Sequence, residues 1–307
     1  MKKSIRVIVA MMVLLSVGTA LFASGSQEGS GKYKIYLITM DQTDQHWVNV
    51  DAGCKKAAEE LGGIDYKWMA PDVKDDAKQI EIINNAVAGG AQAILLAANG
   101  PTAVTSALKE AADAGVKIIY VDSPADFPAY QTLATDNKDA GKIAGEEMIK
   151  ALAASGVTSG KIGIVNINAA TASTVAREAG FREALAGSDF TILETQYSEG
   201  DAARSNDIAV NYITLGCVGI FGANEGCTVG TGNAIQEAGK NIIGVGFDKS
   251  DMILSLVKKG YIVATMAQNP DVMGYEGMKS AVKVLKGEDV GAKYVDTGVS
   301  VITKDKL

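Results

Sequence analysis

Short apolar runs alternate along the chain with segments in which apolar residues recur every three or four positions. In the first half, runs typical of buried strands cover 34–40, 66–69, 93–97 and 117–121. Between the first two runs, one helical face carries Trp47, Val50, Cys54, Ala57 and Leu61. Strands that alternate with helices predict a parallel sheet with helices on both faces.

The same alternation restarts in the second half of the chain. Strands are predicted at 161–165, 191–195, 218–221 and 242–246, and helices at 173–185, 224–238 and 250–259. We therefore predict an α/β protein of two doubly wound parallel-sheet lobes, with a seam near 132–137. A strand at 261–267, a helix at 270–285 and a strand at 299–303 could belong to either half.

The N-terminal segment has the pattern of an export signal. Lys2, Lys3 and Arg6 precede an apolar run at 7–22, and the small residues Ala23-Ser24-Gly25 follow it. We predict a signal peptide at 1–25 that is cleaved on export, which places the mature protein in the periplasm or at the cell envelope exterior. The alternative is a membrane anchor, which needs about 20 apolar residues.

Composition and charge narrow the classes of partner. The 307 residues are 47% hydrophobic and 21% charged, as in globular proteins. Acidic residues number 36 against 29 basic ones, and the net charge of -7 opposes nucleic-acid binding. Three cysteines exclude a fully paired disulfide set, although Cys217 and Cys227 could pair, and a lone histidine, His46, excludes a His-rich zinc site.

Motifs of the common nucleotide-binding and hydrolytic enzymes are absent from the sequence. No Gly-x-Gly-x-x-Gly opens the first helix, and neither a P-loop nor a Gly-x-Ser-x-Gly elbow occurs. The alternation of Asp and Asn that marks a calcium loop is also absent. We therefore predict a protein that is not an enzyme and needs neither cofactor nor metal.

Polar and aromatic side chains stand where predicted strands end. In open α/β sheets, ligands bind outside the carboxyl ends of the strands. Taken singly, each such residue is ordinary turn chemistry, and Asp44 and Asp248 could each be a helix cap. Five strand ends that converge on one cleft predict a polar binding site. Its candidate residues are Asp44, His46, Trp47, Asp122, Asn224, Phe247, Asp248 and Gln268.

Several segments in their order and spacing resemble one family. They are Trp47-Val48-Asn49-Val50-Asp51-Ala52-Gly53, Ala134-Thr135-Asp136-Asn137, Ala176-Arg177-Glu178-Ala179-Gly180-Phe181, Ala223-Asn224-Glu225, Val245-Gly246-Phe247-Asp248 and Ala264-Thr265-Met266-Ala267-Gln268-Asn269-Pro270. The chain is similar, from about Lys34 to Val301, to periplasmic sugar-binding proteins of the ribose and galactose type, the type I substrate-binding subunits of bacterial ABC transporters.

This resemblance implies two lobes joined by a three-segment hinge, with crossings near Asp136, Gln268 and Asp296. The N-terminal lobe would comprise 32–136 plus 268–296, and the C-terminal lobe 137–267 plus 297–307. The lobes would close over a pentose or hexose and deliver it to the membrane permease of an ABC transporter. A chemoreceptor is a further candidate partner, and we expect a monomer.

The resemblance also implies a role for each site residue. Asp122 would accept hydrogen bonds from two sugar hydroxyls, and Arg177 would donate across the cleft. Phe247 would stack on one face of the sugar. The wall of the first lobe would be Asp44, His46 and Trp47, and the polar ring would be completed by Asn224, Asp248 and Gln268.

Departures from the family pattern argue against ribose itself. Ribose binders typically have an arginine after the first-lobe aspartate, where this chain has Ser123. His46 and Trp47 replace two phenylalanines, and Gly200 stands where an aromatic is often found.

Two rival functions use the same two-lobe module. A transcriptional repressor would carry an N-terminal helix-turn-helix, whereas a receptor for a furanosyl autoinducer would differ only in its pocket residues and is the alternative ligand class.

Overall fold

The computed structural model describes residues 32–307, and the predicted signal peptide lies outside them. The first lobe opens with strands and helices in strict alternation. Its elements are β1 (Tyr33–Ile38), α1 (Gln45–Leu61), β2 (Ile64–Met69), α2 (Asp76–Ala88), β3 (Ala93–Leu96), α3 (Thr105–Asp113), β4 (Lys117–Val121) and β5 (Thr132–Ala134).

The second lobe repeats this alternation. Its elements are α4 (Asn137–Ala154), β6 (Gly160–Asn166), α5 (Ala172–Leu185), β7 (Phe190–Ile192), β8 (Gln196–Tyr197), α6 (Ala202–Thr214), β9 (Cys217–Gly222), α7 (Glu225–Ala238), β10 (Ile243–Phe247), α8 (Asp251–Lys259) and β11 (Ala264–Gln268). The chain then continues through α9 (Pro270–Leu285), β12 (Tyr294–Asp296), β13 (Val299–Thr303) and a short 3-10 turn at Lys304–Lys306. Among the residues described, no helix is long and apolar enough to cross a membrane.

Two separate sheets confirm the predicted fold class. The first has strand order β12-β5-β4-β3-β1-β2 and is parallel throughout. The second has order β13-β11-β10-β9-β6-β7, with β8 also paired to β6. In it only β13 is antiparallel, and it pairs with β11 at the sheet edge.

Three details of the sequence prediction were wrong or incomplete. The strand predicted at 191–195 is two shorter strands, β7 and β8, because the chain leaves β6 after Ile192 and rejoins it at Gln196. The three-residue strands β5 and β12 were not predicted. The segments left open are now placed, since α9 packs on the first sheet whereas β11 and β13 belong to the second.

The chain passes between the two sheets at three adjacent places, after β5, after β11 and between β12 and β13. Hydrogen bonds join these passages to one another. The backbone N–H of Asp136 donates to the Asp296 carboxylate, and the Asn269 side chain donates to the carbonyl of Thr297. The Thr135 hydroxyl donates to Gln268 at 3.0 Å. The lobes are therefore connected by a narrow bundle of three backbone segments.

Both lobes pack one helix pair through glycines. In the first lobe, a Cβ on Gly53 of α1 or Gly274 of α9 would overlap the backbone of the facing helix. Gly141 of α4 and Gly180 of α5 have the same relation in the second lobe. Because glycine has no side chain, the two helices of each pair approach closely and cover one face of their sheet. In the first lobe, this packing fixes the position of α1, the helix at whose start the site begins.

Candidate functional site

The carboxyl ends of both sheets face each other across a small cavity between the lobes. Its volume is about 20 Å³, room for about one water molecule. Eight of the nine predicted site residues line it. The full lining is Met40, Asp44, His46, Trp47, Lys74, Asp122, Ile167, Ser173, Thr174, Arg177, Asn224, Asp248 and Gln268.

Two aspartates, one from each lobe, occupy equivalent positions directly after β4 and β10. Asp122 has φ +64° and Asp248 has φ +75°, the left-handed region that aspartate tolerates better than most residues. The side chain of Asp248 accepts from Nε2 of Gln268 at 2.7 Å and does not cap α8, whose N-cap position is Ser250. Both carboxylates are therefore aimed at the cavity by a backbone conformation that costs about 1 kcal/mol or more.

The imidazole of His46 lies between these two carboxylates. Its Nε2 is 2.9 Å from Oδ2 of Asp122, and its Nδ1 is 3.4 Å from Oδ1 of Asp248. The side chain is 6% exposed, and Nε2 is not aligned for a good hydrogen bond in this arrangement. Burial alone would lower the pKa of His46, but the two carboxylates raise it to about 10.

We expect this histidine to make stability depend on alkaline pH. A pKa raised from 6.5 to about 10 means that the imidazolium contributes stability fully below pH 6.5 and loses it as the pH rises through 10. Between pH 7.5 and 10, the free energy of unfolding should fall by at least about 1.4 kcal/mol more in the parent than in His46→Gln, the equivalent of one pKa unit. Thermal unfolding of both proteins across this range measures the difference.

The two carboxylates that flank the His46 ring stay ionised in that range, and Glu225, which accepts from the His46 backbone N–H and has a pKa raised to about 7, titrates alike in the parent and the variant. Burial would raise the pKa values of Asp122 and Asp248, but their cationic neighbours hold both below the usual range. Equal pH slopes for the parent and His46→Gln would show that the imidazole is neutral in the folded protein.

Arg177 enters the same cavity from α5 and is almost wholly buried. Its Nε donates to Oδ1 of Asn137 at 2.8 Å, and Nη1 donates to the carbonyl of Ala223 at 3.0 Å. Nη2 lies 4.0 Å from the Asp122 carboxylate across the cleft. The hydrogen bonds of Nε and Nη1 thus hold the side chain in place, and Nη2 points toward the first lobe.

Phe247 is the one predicted site residue that the structure does not place at the cavity. Its ring is fully buried in the core of the second lobe, in edge contact with Phe221. The Arg177 guanidinium lies over the ring, 4.2 Å from its centre. In this structure the ring supports Arg177 from beneath, and the stacking of Phe247 on a ligand stays a prediction.

Asn224 and Trp47 each combine a structural role with a place in the cavity wall. Oδ1 of Asn224 caps α7 by accepting from the backbone N–H of Cys227. The Trp47 indole belongs to the first-lobe core and donates to Oδ2 of Asp41 at 3.1 Å. Each leaves only part of its surface for a ligand.

A buried ion cluster that the sequence did not predict forms the outer wall of the cavity. Lys74, in the loop after β2, lies 2.6 Å from Asp41 and 3.0 Å from Asp44. Burial would raise the pKa of Asp41, but Lys74 lowers it, whereas at Asp44 burial outweighs Lys74 and raises the pKa of the carboxyl. The side chain of Asp44 makes no cap to α1 and belongs to this cluster instead.

Glu225 of the second lobe caps the first helix of the first lobe. Its two carboxylate oxygens accept from the backbone N–H groups of Gln45, at 3.1 Å, and His46, at 3.0 Å. Burial and the neighbouring carboxylates raise the pKa of Glu225 to about 7. Further hydrogen bonds cross the cleft, two of them between Ser123 and Ser173 and one from Thr171 to the carbonyl of Asn99.

Some of the cavity residues that the sequence analysis missed could have been found by applying the strand-end rule to every predicted strand. Lys74 follows β2, and Ser173 and Thr174 follow β6, so each stands at the same edge as the predicted residues. Glu225 follows β9 in the same way, but the rule gives no sign that its carboxylate caps a helix of the other lobe. Within residues 32–307 no group of histidine, cysteine and acidic side chains could hold a metal ion.

Two parallel-sheet lobes whose strand ends enclose a polar cavity define a two-lobed solute-binding protein. Residues 35–289 match the family model described as periplasmic binding protein domain. The chain therefore belongs to the periplasmic binding protein family.

Named relatives and solved structures agree with this assignment. The ribose import binding protein of Escherichia coli (strain K12) is 30% identical, with 92% of this chain and 95% of the relative covered. A carbohydrate transporter solute binding protein from Agrobacterium radiobacter, in complex with D-arabinose, is 33% identical with a TM-score of 0.85 over 89% of this chain and 95% of its own. An ABC transporter solute binding protein from Agrobacterium vitis with bound D-fucose is 32% identical, with a TM-score of 0.84 over 89% and 96%.

Proposed function

We propose that this protein captures a pentose or hexose in the cleft between its lobes and delivers it to the membrane permease of an ABC transporter. The observation that carries the proposal is the pair of buried aspartates, one from each lobe, which face each other beside Arg177. Carboxylates accept hydrogen bonds from vicinal hydroxyls, and a guanidinium donates hydrogen bonds to hydroxyl oxygens. The polar side chains around the cavity therefore match a polyol. Relatives named for ribose and D-allose, and neighbours bound to D-arabinose and D-fucose, support this class.

Binding in this site requires the lobes to separate. A cavity of about 20 Å³ is too small for a sugar ring, and the imidazole of His46 fills the space between the aspartates. We propose that the three passages near Asp136, Gln268 and Asp296 act as the hinge, with lobe limits at 32–136 plus 268–296 and 137–267 plus 297–307. Ligand that touches both lobes then shifts the equilibrium toward the closed form, which the permease recognises.

The location of the protein follows from the same proposal. The basic residues, apolar run and small residues at 1–25 support export and cleavage, so the mature chain would work in the periplasm or at the envelope exterior. N-terminal sequencing of the exported protein should begin near Ser24 to Ser26. Retention of Met1 in a membrane fraction would favour a tethered receptor instead.

The ligand is best identified from the protein itself. Mass spectrometry and NMR of whatever is released on denaturing the purified protein should show a pentose or hexose, either free or as one unit of a larger glycoside. Added back, that sugar should raise the melting temperature, because a ligand that binds only the folded state stabilises it by mass action. It should remain chemically intact on prolonged incubation, and its turnover would contradict the proposal. A furanosyl signal molecule in its place would change the ligand and keep the clamp.

A further inference from the structure

A second and much larger cavity lies at the mouth of the cleft. Its volume is about 590 Å³, within the range of about 300 to 1,000 Å³ that small-molecule sites occupy. We call it the outer chamber, and it is formed by both lobes. Its walls include Asp72 and Val73 from the first lobe and Glu199, Asp201, Ala202 and Met252 from the second.

The outer chamber and the inner cavity share a wall. Asp44 and Lys74 line both spaces, and their ion pair at 3.0 Å stands between them. Gly200 packs against this wall from the second lobe. A Cβ at Gly200 would lie 3.1 Å from Nζ of Lys74 and 3.1 Å from Nδ2 of Asn224, so a larger residue here would crowd the side chains at this junction.

The chemistry of the outer chamber suits a sugar ring. Carboxylates at Asp72, Glu199 and Asp201 accept hydrogen bonds from hydroxyls. Val73 and Met252, one from each lobe, are 55% and 59% exposed and offer apolar surface to the C–H face of a ring. Six acidic side chains line the chamber against two basic ones, Lys74 and Arg204, and this excess of carboxylates disfavours a phosphate or a carboxylate on the ligand, because like charges repel.

We infer that the physiological ligand carries a second sugar unit, so that the cleft binds a disaccharide or another glycoside. The first sugar unit binds among the polar side chains of the inner cavity, and the second sugar unit extends past Lys74 into the outer chamber. This inference rests on the proposed function, since it assumes that the inner cavity holds a monosaccharide unit.

The test compares matched ligands on three proteins. Calorimetry would measure D-arabinose, D-fucose, D-galactose and D-glucose alongside lactose, melibiose, cellobiose and the p-nitrophenyl glycosides of the four sugars. The variant Val73→Trp places a large ring in the outer chamber at an exposed position, and Val210→Trp is the matched control on the exposed face of α6, away from the cleft. Circular dichroism confirms that both variants fold.

We expect at least one glycoside or disaccharide to bind the parent at least tenfold more tightly than its own monosaccharide. Val73→Trp should remove that advantage and leave the monosaccharide affinity unchanged, whereas Val210→Trp should change neither. If monosaccharides bind and no glycoside binds better, or if Val73→Trp weakens both ligands equally, the second subsite is wrong and the proposed function stands. If no carbohydrate binds the parent, both are wrong.

Discussion

Asp122→Asn and Asp248→Asn should each lower sugar affinity by roughly tenfold to more than a hundredfold. Hydrogen bonds to charged groups contribute about 1.5 to 3 kcal/mol, and about 1.4 kcal/mol corresponds to a factor of ten in affinity. Asparagine is nearly isosteric and also tolerates the left-handed backbone of these two positions, so the substitutions remove charge without disturbing the turn.

Titration calorimetry with the sugar recovered from the protein measures the effect. Lys259→Ala, on an exposed position at the end of α8, is the control and should bind like the parent. The structure already weakens the alternative that Asp248 is only a helix cap, because its carboxylate meets Gln268 and His46 rather than α8. Parental affinity in either asparagine variant would remove that aspartate from the binding site.

The pattern of the sequence predicted most of the fold because both sheets follow a local rule. Buried parallel strands are continuous apolar runs and the helices between them are amphipathic, so each could be read from its own residues. The strand β4 and the helix α9 have the predicted bounds. The strands β5 and β12 are three residues long, too short for a period, and the antiparallel direction of β13 depends on a distant partner, β11.

The same distinction separates the predicted site residues that line the cavity from Phe247, which does not. The strand-end rule brings together residues as distant as Asp44 and Gln268, because parallel strands end at one edge. It does not say whether a given side chain at that edge points into the cleft or the core. Phe247 and Asp248 are adjacent and point to different places, and only the packing of Phe247 against Phe221 and Arg177 decides which is which.

Some residues that marked the family resemblance are explained by packing rather than by binding. Gly53 and Gly180, in two of the quoted motifs, allow α1 and α5 to approach their neighbouring helices. Arg177 lies one turn from Gly180 on α5, and His46 opens α1. Close helix packing therefore sets the position from which each of these charged side chains reaches the cavity.

Removing the carboxylate of Glu225 should loosen the closed form without touching the polar ring that we propose holds the ligand. In the closed arrangement it accepts from two N–H groups at the start of α1 in the other lobe. Those N–H groups meet water when the lobes separate, so the interaction stabilises closure and not the open form. Losing a helix cap costs about 0.5 to 2 kcal/mol, which predicts sugar affinity lower by roughly two- to thirtyfold in Glu225→Ala.

Glu225→Gln tests whether capping is the cause. The glutamine carbonyl can still accept from one of the two N–H groups, so this variant should fall between the parent and Glu225→Ala. Glu237 is exposed on the same helix, α7, so Glu237→Ala should match the parent in both sugar affinity and radius of gyration. Small-angle scattering without added sugar should give Glu225→Ala the largest radius of gyration of the set.

Saturating sugar should bring the radius of Glu225→Ala back to the parental value, because bound ligand restores closure by mass action. That recovery distinguishes a shifted equilibrium from misfolding, since a misfolded protein would not become compact on adding sugar. If Glu225→Ala keeps both the parental radius and the parental affinity, the cross-lobe cap contributes nothing to closure, and the other contacts across the cleft, such as the bonds Ser123–Ser173 and Thr171–Asn99, hold the lobes together.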